Sequence, residues 1–432
     1  MTQAARDALA VALVGLAAVL LWTPLGWLPP TTWGIDLWPT WVAAHLYADG
    51  VYEAVYHPSL WIPGDLAHPA WRAILEAEGI PTGEGTTFTY SPVYLLLVGP
   101  FMRALSIEHL CLAVLGVNGL SLGVIGVETM RLAGVRSLPH RLLWTAGLAL
   151  SVPVMAAVCL GQNTLWTLAL LLLGWRVMHA PGRTAQALGV ALWLLACACK
   201  PWAVLLLGLL PVLRSWRVAA GAAAGWVTLF VLLPALVVPE AVLEGYRATS
   251  AALLEVTVAP TNNISLRAFL LRMRLDQWTE ASAQWTMLRM NRAWLAAELP
   301  VLLAVLAAAV RIWWVRRPSA DHTLAAGLAL VLLPLGVCWT HYLVFCAPMV
   351  ALLLTHEHAW IQKLALVVAC WAVLTHLHHL PTILHFNVRN ETLYVAEHPT
   401  WWALRALLPW LGIIGLSLLS LARGSTESRA LS

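Results

Sequence analysis

Long apolar runs separated by short polar joints are the feature that most narrows what this chain can fold into. They fall near 8–28, 92–130, 142–160, 163–178, 185–199, 201–213, 218–238, 299–315, 322–339, 341–355, 362–380 and 400–421. About 20 apolar residues in a helix cross the hydrocarbon of a bilayer, and shorter runs serve where a helix is packed inside protein. A water-soluble surface needs roughly a quarter of all residues charged. Here 11% are charged and 60% hydrophobic. The expected fold is an all-α polytopic membrane protein of about twelve transmembrane helices, in a single integral domain over residues 1–432. The first run is too long for a signal-peptide core and lacks a small-residue cleavage site, so it is read as a retained span. The run 92–130 holds two apolar pieces. Charge placement allows an odd number of crossings there, so its first piece is expected to be re-entrant or interfacial.

Arginines set the orientation. Arg6, Arg131, Arg136, Arg141, Arg176, Arg183, Arg214, Arg217, Arg311, Arg316, Arg317, Arg423 and Arg429 gather in joints that fall on one side, together with Lys363. Basic residues concentrate in short cytoplasmic loops, which puts both termini in the cytoplasm. Two long segments then face outward, 29–89 and 239–298, and a shorter one follows at 381–399. In the first, Trp38, Trp41, Val42 and Leu46 recur at helical spacing, as do Trp71, Ile74 and Leu75. Both stretches read as interfacial helices, with Trp27, Trp33, Trp38 and Trp41 holding the loop at the headgroup level. No period of 20–50 residues and no pair of similar halves is visible.

The net charge of +4 and the absence of a basic tail give no sign of nucleic acid. Seven cysteines lie in apolar segments without a CxxC pair, which indicates neither a disulfide framework nor a zinc site. His356 and His358, and His376, His378 and His379, have metal-like spacing without an accompanying carboxylate pattern.

Several polar residues near the outer ends of the runs carry two readings each. Asp36, in Gly34-Ile-Asp-Leu-Trp-Pro-Thr-Trp41, either caps the following helix or is a working carboxylate at the membrane surface. Lys200-Pro201 interrupts the run 188–213, so a tight hairpin with Lys200 at its outer tip fits the arginine pattern; the lysine faces water or an anion. Gly161-Gln-Asn163 is a helix cap or part of a site. Arg247, Arg267, Arg272, Arg274, Arg289 and Arg292 in the second outer segment are a solvated face, paired in part with Asp276, Glu280 and Glu298, or donors for a phosphate. His341 is an outer-surface histidine at a turn.

Taken in order, the motifs are an Asp before an aromatic, alanine-rich helix (Asp36 to Tyr47), Gly50-Val-Tyr52, Phe88-Thr-Tyr90-Ser-Pro92, Gly161-Gln-Asn163-Thr-Leu165, Cys199-Lys-Pro201 with Arg214-Ser-Trp-Arg217, Asn263-Ile-Ser-Leu-Arg267, and Trp339-Thr-His341-Tyr342. This series resembles glycosyltransferase family 87, bacterial GT-C-fold enzymes that use polyprenyl-phosphate sugars and include mycobacterial mannosyltransferases. Ser91 stands where the family tends to have the first of two prolines, the Gly-Gln motif lacks an intervening residue, and Thr340 stands where an acidic residue precedes the histidine.

The resemblance implies an inverting sugar transfer, with mannose the leading sugar, from a polyprenyl-phosphate donor to a lipid or glycan acceptor at the outer face of the bacterial cytoplasmic membrane. Asp36 would be the catalytic base, with His341 beside it in the catalytic set. Lys200, Arg267, Asn263, Gln162 and Tyr90 would serve the donor phosphate. No cofactor is expected; no DxD motif appears, so transfer is expected to be metal-independent, although the residues do not forbid a divalent ion. A lipid or sugar transporter is the rival reading, and it calls for inverted repeats and polar groups near the bilayer midplane.

Overall fold

The computed structural model describes residues 3–21, 36–56, 61–63, 69–79, 84–86, 88–258, 263–274, 287–289, 292–355 and 399–423. In chain order the helices are α1 (Gln3–Leu21), α2 (Trp38–Ala48), α3 (Pro69–Ala77), α4 (Pro92–Arg103), α5 (Ile107–Leu132), α6 (Leu138–Ala149), α7 (Val152–Cys159), α8 (Thr164–Met178), α9 (Arg183–Cys199), α10 (Leu210–Leu213), α11 (Trp216–Val227), α12 (Leu233–Val237), α13 (Glu240–Glu255), α14 (Leu266–Arg274), α15 (Arg292–Arg316), α16 (Ala320–Leu330), α17 (Ala347–Thr355) and α18 (Pro399–Arg423). Two 3-10 segments, Pro201–Leu209 and Thr340–Cys346, lead into α10 and α17. The described strands are two antiparallel ribbons, Trp61–Pro63 with Glu84–Thr86 and Val256–Val258 with Met287–Arg289.

Three described helical stretches are long and apolar enough to cross a bilayer: Ile107–Leu132, Trp216–Val237 and Glu298–Arg316. A fourth is reached if α6 and α7, bent by 62° at their junction, count as one. Pro153 accounts for the bend, since it has no N–H to give the carbonyl four residues back. Shorter apolar helices cover Pro92–Arg103, Thr164–Met178, Arg183–Cys199, Pro201–Leu213, Thr340–Thr355 and Leu407–Arg423, and the run 362–380 lies outside the described residues. Length therefore supports a membrane protein, with three or four of the expected crossings found among the described residues. The run 92–130 resolves into α4 and α5, of which α5 alone is long enough to span.

The chain divides into two compact units, one from 1–125, 157–207 and 214–254, the other from 126–156, 208–213 and 255–432. In the first unit α1 crosses α5 at glycines: a Cβ on Gly119 would stand 2.7 Å from the Cα of Leu16, an approach that only a residue without a side chain permits. Helix α8 runs against α9, and Trp193 Nε1 donates to the Leu171 carbonyl across them at 2.8 Å.

The segment after α1 departs from the expected interfacial helix. Eight of the eleven residues of α2 are buried, Trp38 and Trp41 among them. They lie in a core shared with Phe88, Tyr94, Leu95, Leu110 and Val242. Trp41 Nε1 donates to the Leu105 carbonyl at 3.2 Å and Trp71 Nε1 to the Ala54 carbonyl at 2.6 Å. These tryptophans hold one part of the protein to another, which satisfies their N–H groups where headgroup water would otherwise have to.

In the second unit, Ala309, Ala326 and Leu421 form a core with Ile312, Trp313, Leu330 and Leu418, joining α15, α16 and α18.

Candidate active site

Four helix ends of the first unit meet. The backbone N–H of Asp36, just before α2, donates to the Leu160 carbonyl at 3.1 Å, beyond the end of α7. Asn163, at the start of α8, donates its side-chain amide to the Cys199 carbonyl at 2.9 Å, at the end of α9. Tyr90 immediately precedes Ser91, whose Oγ accepts from the Tyr94 N–H and caps α4. The tight turn that lets Leu160 and Asn163 serve two different elements passes through Gly161, with φ +69°. An L side chain in that region costs roughly 1–2 kcal/mol. Gly161→Ala is accordingly expected to lower stability by about 1 kcal/mol, read from thermal unfolding in detergent; an unchanged melting temperature would count against this turn.

At this junction Gln162 bridges the two charged residues. Its Nε2 donates to Asp36 Oδ2 at 2.5 Å and its Oε1 accepts from Lys200 Nζ at 2.8 Å. The Lys200 ammonium also lies over the Tyr90 ring, 5.3 Å from its centroid. Among the described residues Asp36 Oδ1 accepts no hydrogen bond, so one carboxylate oxygen is fixed and the other is unengaged. The start of α2 favours the carboxylate and the end of α9 favours the cation, each through the helix dipole.

Burial pushes the Asp36 carboxyl above its ordinary value, opposed by the Gln162 hydrogen bond and the Lys200 charge. Lys200, at the turn between α9 and the 3-10 segment, is 4% exposed. Burial brings it down to about 7, with Asp36 resisting. A carboxylate moved toward neutrality is better matched to taking a proton than an ordinary one.

The aromatic surround is continuous. Tyr90 lies 4.6 Å from Tyr94 and 5.9 Å from Phe88, and Phe88 lies 5.1 Å from Tyr56, between ring centroids. Tyr56 donates its hydroxyl to the Tyr90 carbonyl at 2.7 Å. Tyr246 of α13 stands 5.7 Å from Tyr56 and joins α13 to the same wall.

The second unit holds the other expected residues. Asn263 is fully buried, and its Oδ1 accepts from the N–H groups of Ser265 (3.2 Å) and Cys338 (2.9 Å). Ile264 N–H donates to the Cys338 carbonyl at 2.7 Å, and Arg272 donates to the Asn263 carbonyl at 2.8 Å. These bonds fasten the start of α14 to the turn that leads into Thr340 and His341. Arg267 Nε donates to Glu298 Oε2 at 2.6 Å, with both side chains largely buried. Removing one member of such a pair strands the other charge, so Glu298→Ala is expected to cost about 3 kcal/mol. The check is chemical denaturation of E298A against the R267M/E298A double variant, which should regain part of the loss; equal losses would mean that the pairing matters little.

The structure corrects several sequence expectations. Asp36 is not a helix cap: the N-cap residue of α2 is Leu37, with no side-chain cap, and Asp36 lies one residue too early and turns to Gln162. Asn163 holds the N-cap position of α8, yet its amide reaches across to Cys199. Lys200 does not face open water: it is buried, donating to Gln162 and lying over the Tyr90 ring. His341 is a buried residue, 2% exposed, in edge-on contact with Tyr342. Arg272 is buried and bonded to the Asn263 carbonyl, partly buried Arg267 pairs with Glu298 as the sequence allows, and Arg247 pairs with Glu240 in the open. Asp276 and Glu280 lie outside the described residues, as do Trp27, Trp33 and the histidines from 356 to 379. No group of metal-holding side chains occurs among the described residues, where the six cysteines are free.

Sequence reading named Gln162 without its bridging role, and it missed Leu160, Tyr56 and Tyr246. The positive-φ glycine beside a Gln-Asn pair was the one local signal for the bridge.

No curated protein and no solved structure matches the chain. A family model does, over residues 88–340, a stretch that takes in Tyr90, Gln162, Lys200, Asn263 and Arg267 and stops on either side short of Asp36 and His341. That match, to glycosyltransferase family 87, covers more than half of the chain, and a GT-C fold is consistent with it; the protein belongs to this family of membrane glycosyltransferases, which move a sugar from a donor to an acceptor.

Proposed function

We propose that the protein is an inverting hexosyltransferase of the cell envelope, working at the outer face of the cytoplasmic membrane with both termini in the cytoplasm. Its donor is a polyprenyl-phosphate sugar, with mannose the first candidate, and its acceptor a lipid or glycan hydroxyl. The observation that carries the reading is the Asp36 carboxylate, held by one oxygen through Gln162 with the other unengaged among the described residues, one amide away from a buried lysine.

In the reaction the acceptor oxygen attacks the anomeric carbon while its proton passes to Asp36. The bond from that carbon to the phosphate oxygen breaks, and its electron pair leaves with the polyprenyl phosphate. A single displacement with one base inverts the anomeric centre. Lys200 supplies positive field to the departing phosphate, which acts strongly in a site from which water is excluded. By the family resemblance alone, Tyr90, Asn263 and Arg267 are proposed on the donor side and His341 as a second catalytic group.

The test is reconstitution in nanodiscs with separate polyprenyl-phosphate-hexose, polyprenyl-phosphate-pentose and nucleotide-sugar donors, a native lipid extract as acceptor, and products read by mass spectrometry. Transfer from a polyprenyl-phosphate hexose with an inverted anomeric centre supports the reading. Transfer from a nucleotide sugar alone, or retention of configuration, sinks it.

A further inference from the structure

Gln162 occupies an unusual place. It is nearly fully buried, and its two amide ends meet groups of opposite charge. Lysine only donates and a carboxylate only accepts, so the amide has one workable orientation, oxygen to Lys200 and nitrogen to Asp36. Its backbone is equally constrained, since the Gln162 N–H donates to the Ala157 carbonyl at 2.8 Å and Gly161 before it has φ +69°. Neighbouring Leu160 fixes the Asp36 backbone and neighbouring Asn163 fixes the Cys199 carbonyl just before Lys200. Three successive side-chain and main-chain contacts thus register both charged residues against one turn.

From this geometry we propose that Gln162 is the positioning residue of the site: its amide aims the free oxygen of Asp36 and keeps Lys200 from collapsing onto it as a direct ion pair. The inference rests on the proposed role of Asp36 as base, and it assigns Gln162 to the base in place of the donor phosphate. A direct lysine–carboxylate contact would occupy the oxygen that must accept a proton. The interposed amide lets the cation favour the charged carboxylate while leaving it basic. Charged and titratable groups at Asp36 in the described first unit are Lys200 and, around Lys200, the Cys199 thiol and the Tyr90 phenol.

The test uses the full-length protein in nanodiscs and compares wild type, Gln162→Met, Gln162→Glu and Asp36→Asn in two measurements. The first is kcat, donor KM and the pH profile of transfer. Gln162→Met is expected to lower kcat by on the order of 100-fold with little change in donor KM, as a misdirected reacting group does. The acid limb should move to higher pH, because the lost N–H had favoured the carboxylate, and further still in Gln162→Glu, which adds a like charge. The second measurement needs no substrate: the infrared band of the protonated carboxyl, identified by its loss in Asp36→Asn, should persist to higher pH in both Gln162 variants.

A raised donor KM with unmoved kcat and unmoved acid limb would overturn the proposal in favour of direct donor binding. A lower rate with an unmoved carboxyl band would reduce Gln162 to packing. Wild-type rates in Asp36→Asn would defeat the base assignment itself, an outcome separate from either.

Discussion

Asp36→Asn is expected to lower sugar transfer about 1000-fold at neutral pH, in the middle of the range that a positioned general base supplies. Asparagine keeps the size and shape of aspartate, and its Oδ1 accepts the Gln162 N–H in place of the carboxylate oxygen. The four helix ends should therefore stay assembled and the donor should bind as before. What asparagine lacks is a lone pair basic enough to take the acceptor proton, so the loss should appear in kcat with donor affinity unchanged. The measurement is steady-state transfer in nanodiscs beside equilibrium binding of the lipid-linked donor. A variant that transfers at the wild-type rate would leave Asp36 a structural residue and move the base elsewhere.

How much of this site was legible in the sequence follows from the range over which each contact acts. Apolar runs and arginine joints are local, and they identify a helical membrane protein without a partner being known. The burial of α2 was not legible. A helix of tryptophan, alanine and leucine looks alike whether it lies on a leaflet or inside a protein, and what decides is the packing of Trp41 and Trp71 onto distant carbonyls. Lys200 announced itself by breaking an apolar run, and Asp36 by standing alone among tryptophans. The bond that unites them joins residues 126 positions apart, and its second half spans 38. No periodicity encodes such a bridge, so Gln162 was nameable from its motif and its role was not. Asn263 and Arg267 illustrate the converse: residues with the right chemistry for a phosphate are largely committed to Cys338, Ser265 and Glu298.

Lys200→Met is expected to reduce transfer on the order of 100- to 1000-fold, the range seen when one preorganised donor to a developing anion is removed. Methionine fills nearly the same volume and removes the cation, leaving the Asp36 carboxylate to the Gln162 amide. The pH profile separates this loss from simple misfolding. In wild type the free enzyme should show an alkaline limb as Lys200, brought down to about 7 by burial, gives up its proton and with it the field on the leaving phosphate. Its acid limb belongs to Asp36, raised by burial and held back by Gln162 and Lys200. In Lys200→Met the alkaline limb should vanish. The acid limb should move to higher pH, since the cation that favoured the carboxylate is gone.

Stability gives an independent sign. Between about 7 and about 10.4 an unfolded lysine holds a proton that folded Lys200 has lost. Wild-type stability should therefore rise with pH across that window, and this component of the rise should be absent in the variant. If Lys200→Met keeps both limbs where wild type has them, the cation is too remote from the reacting atoms to matter, and the leaving phosphate must draw its stabilisation from other donors.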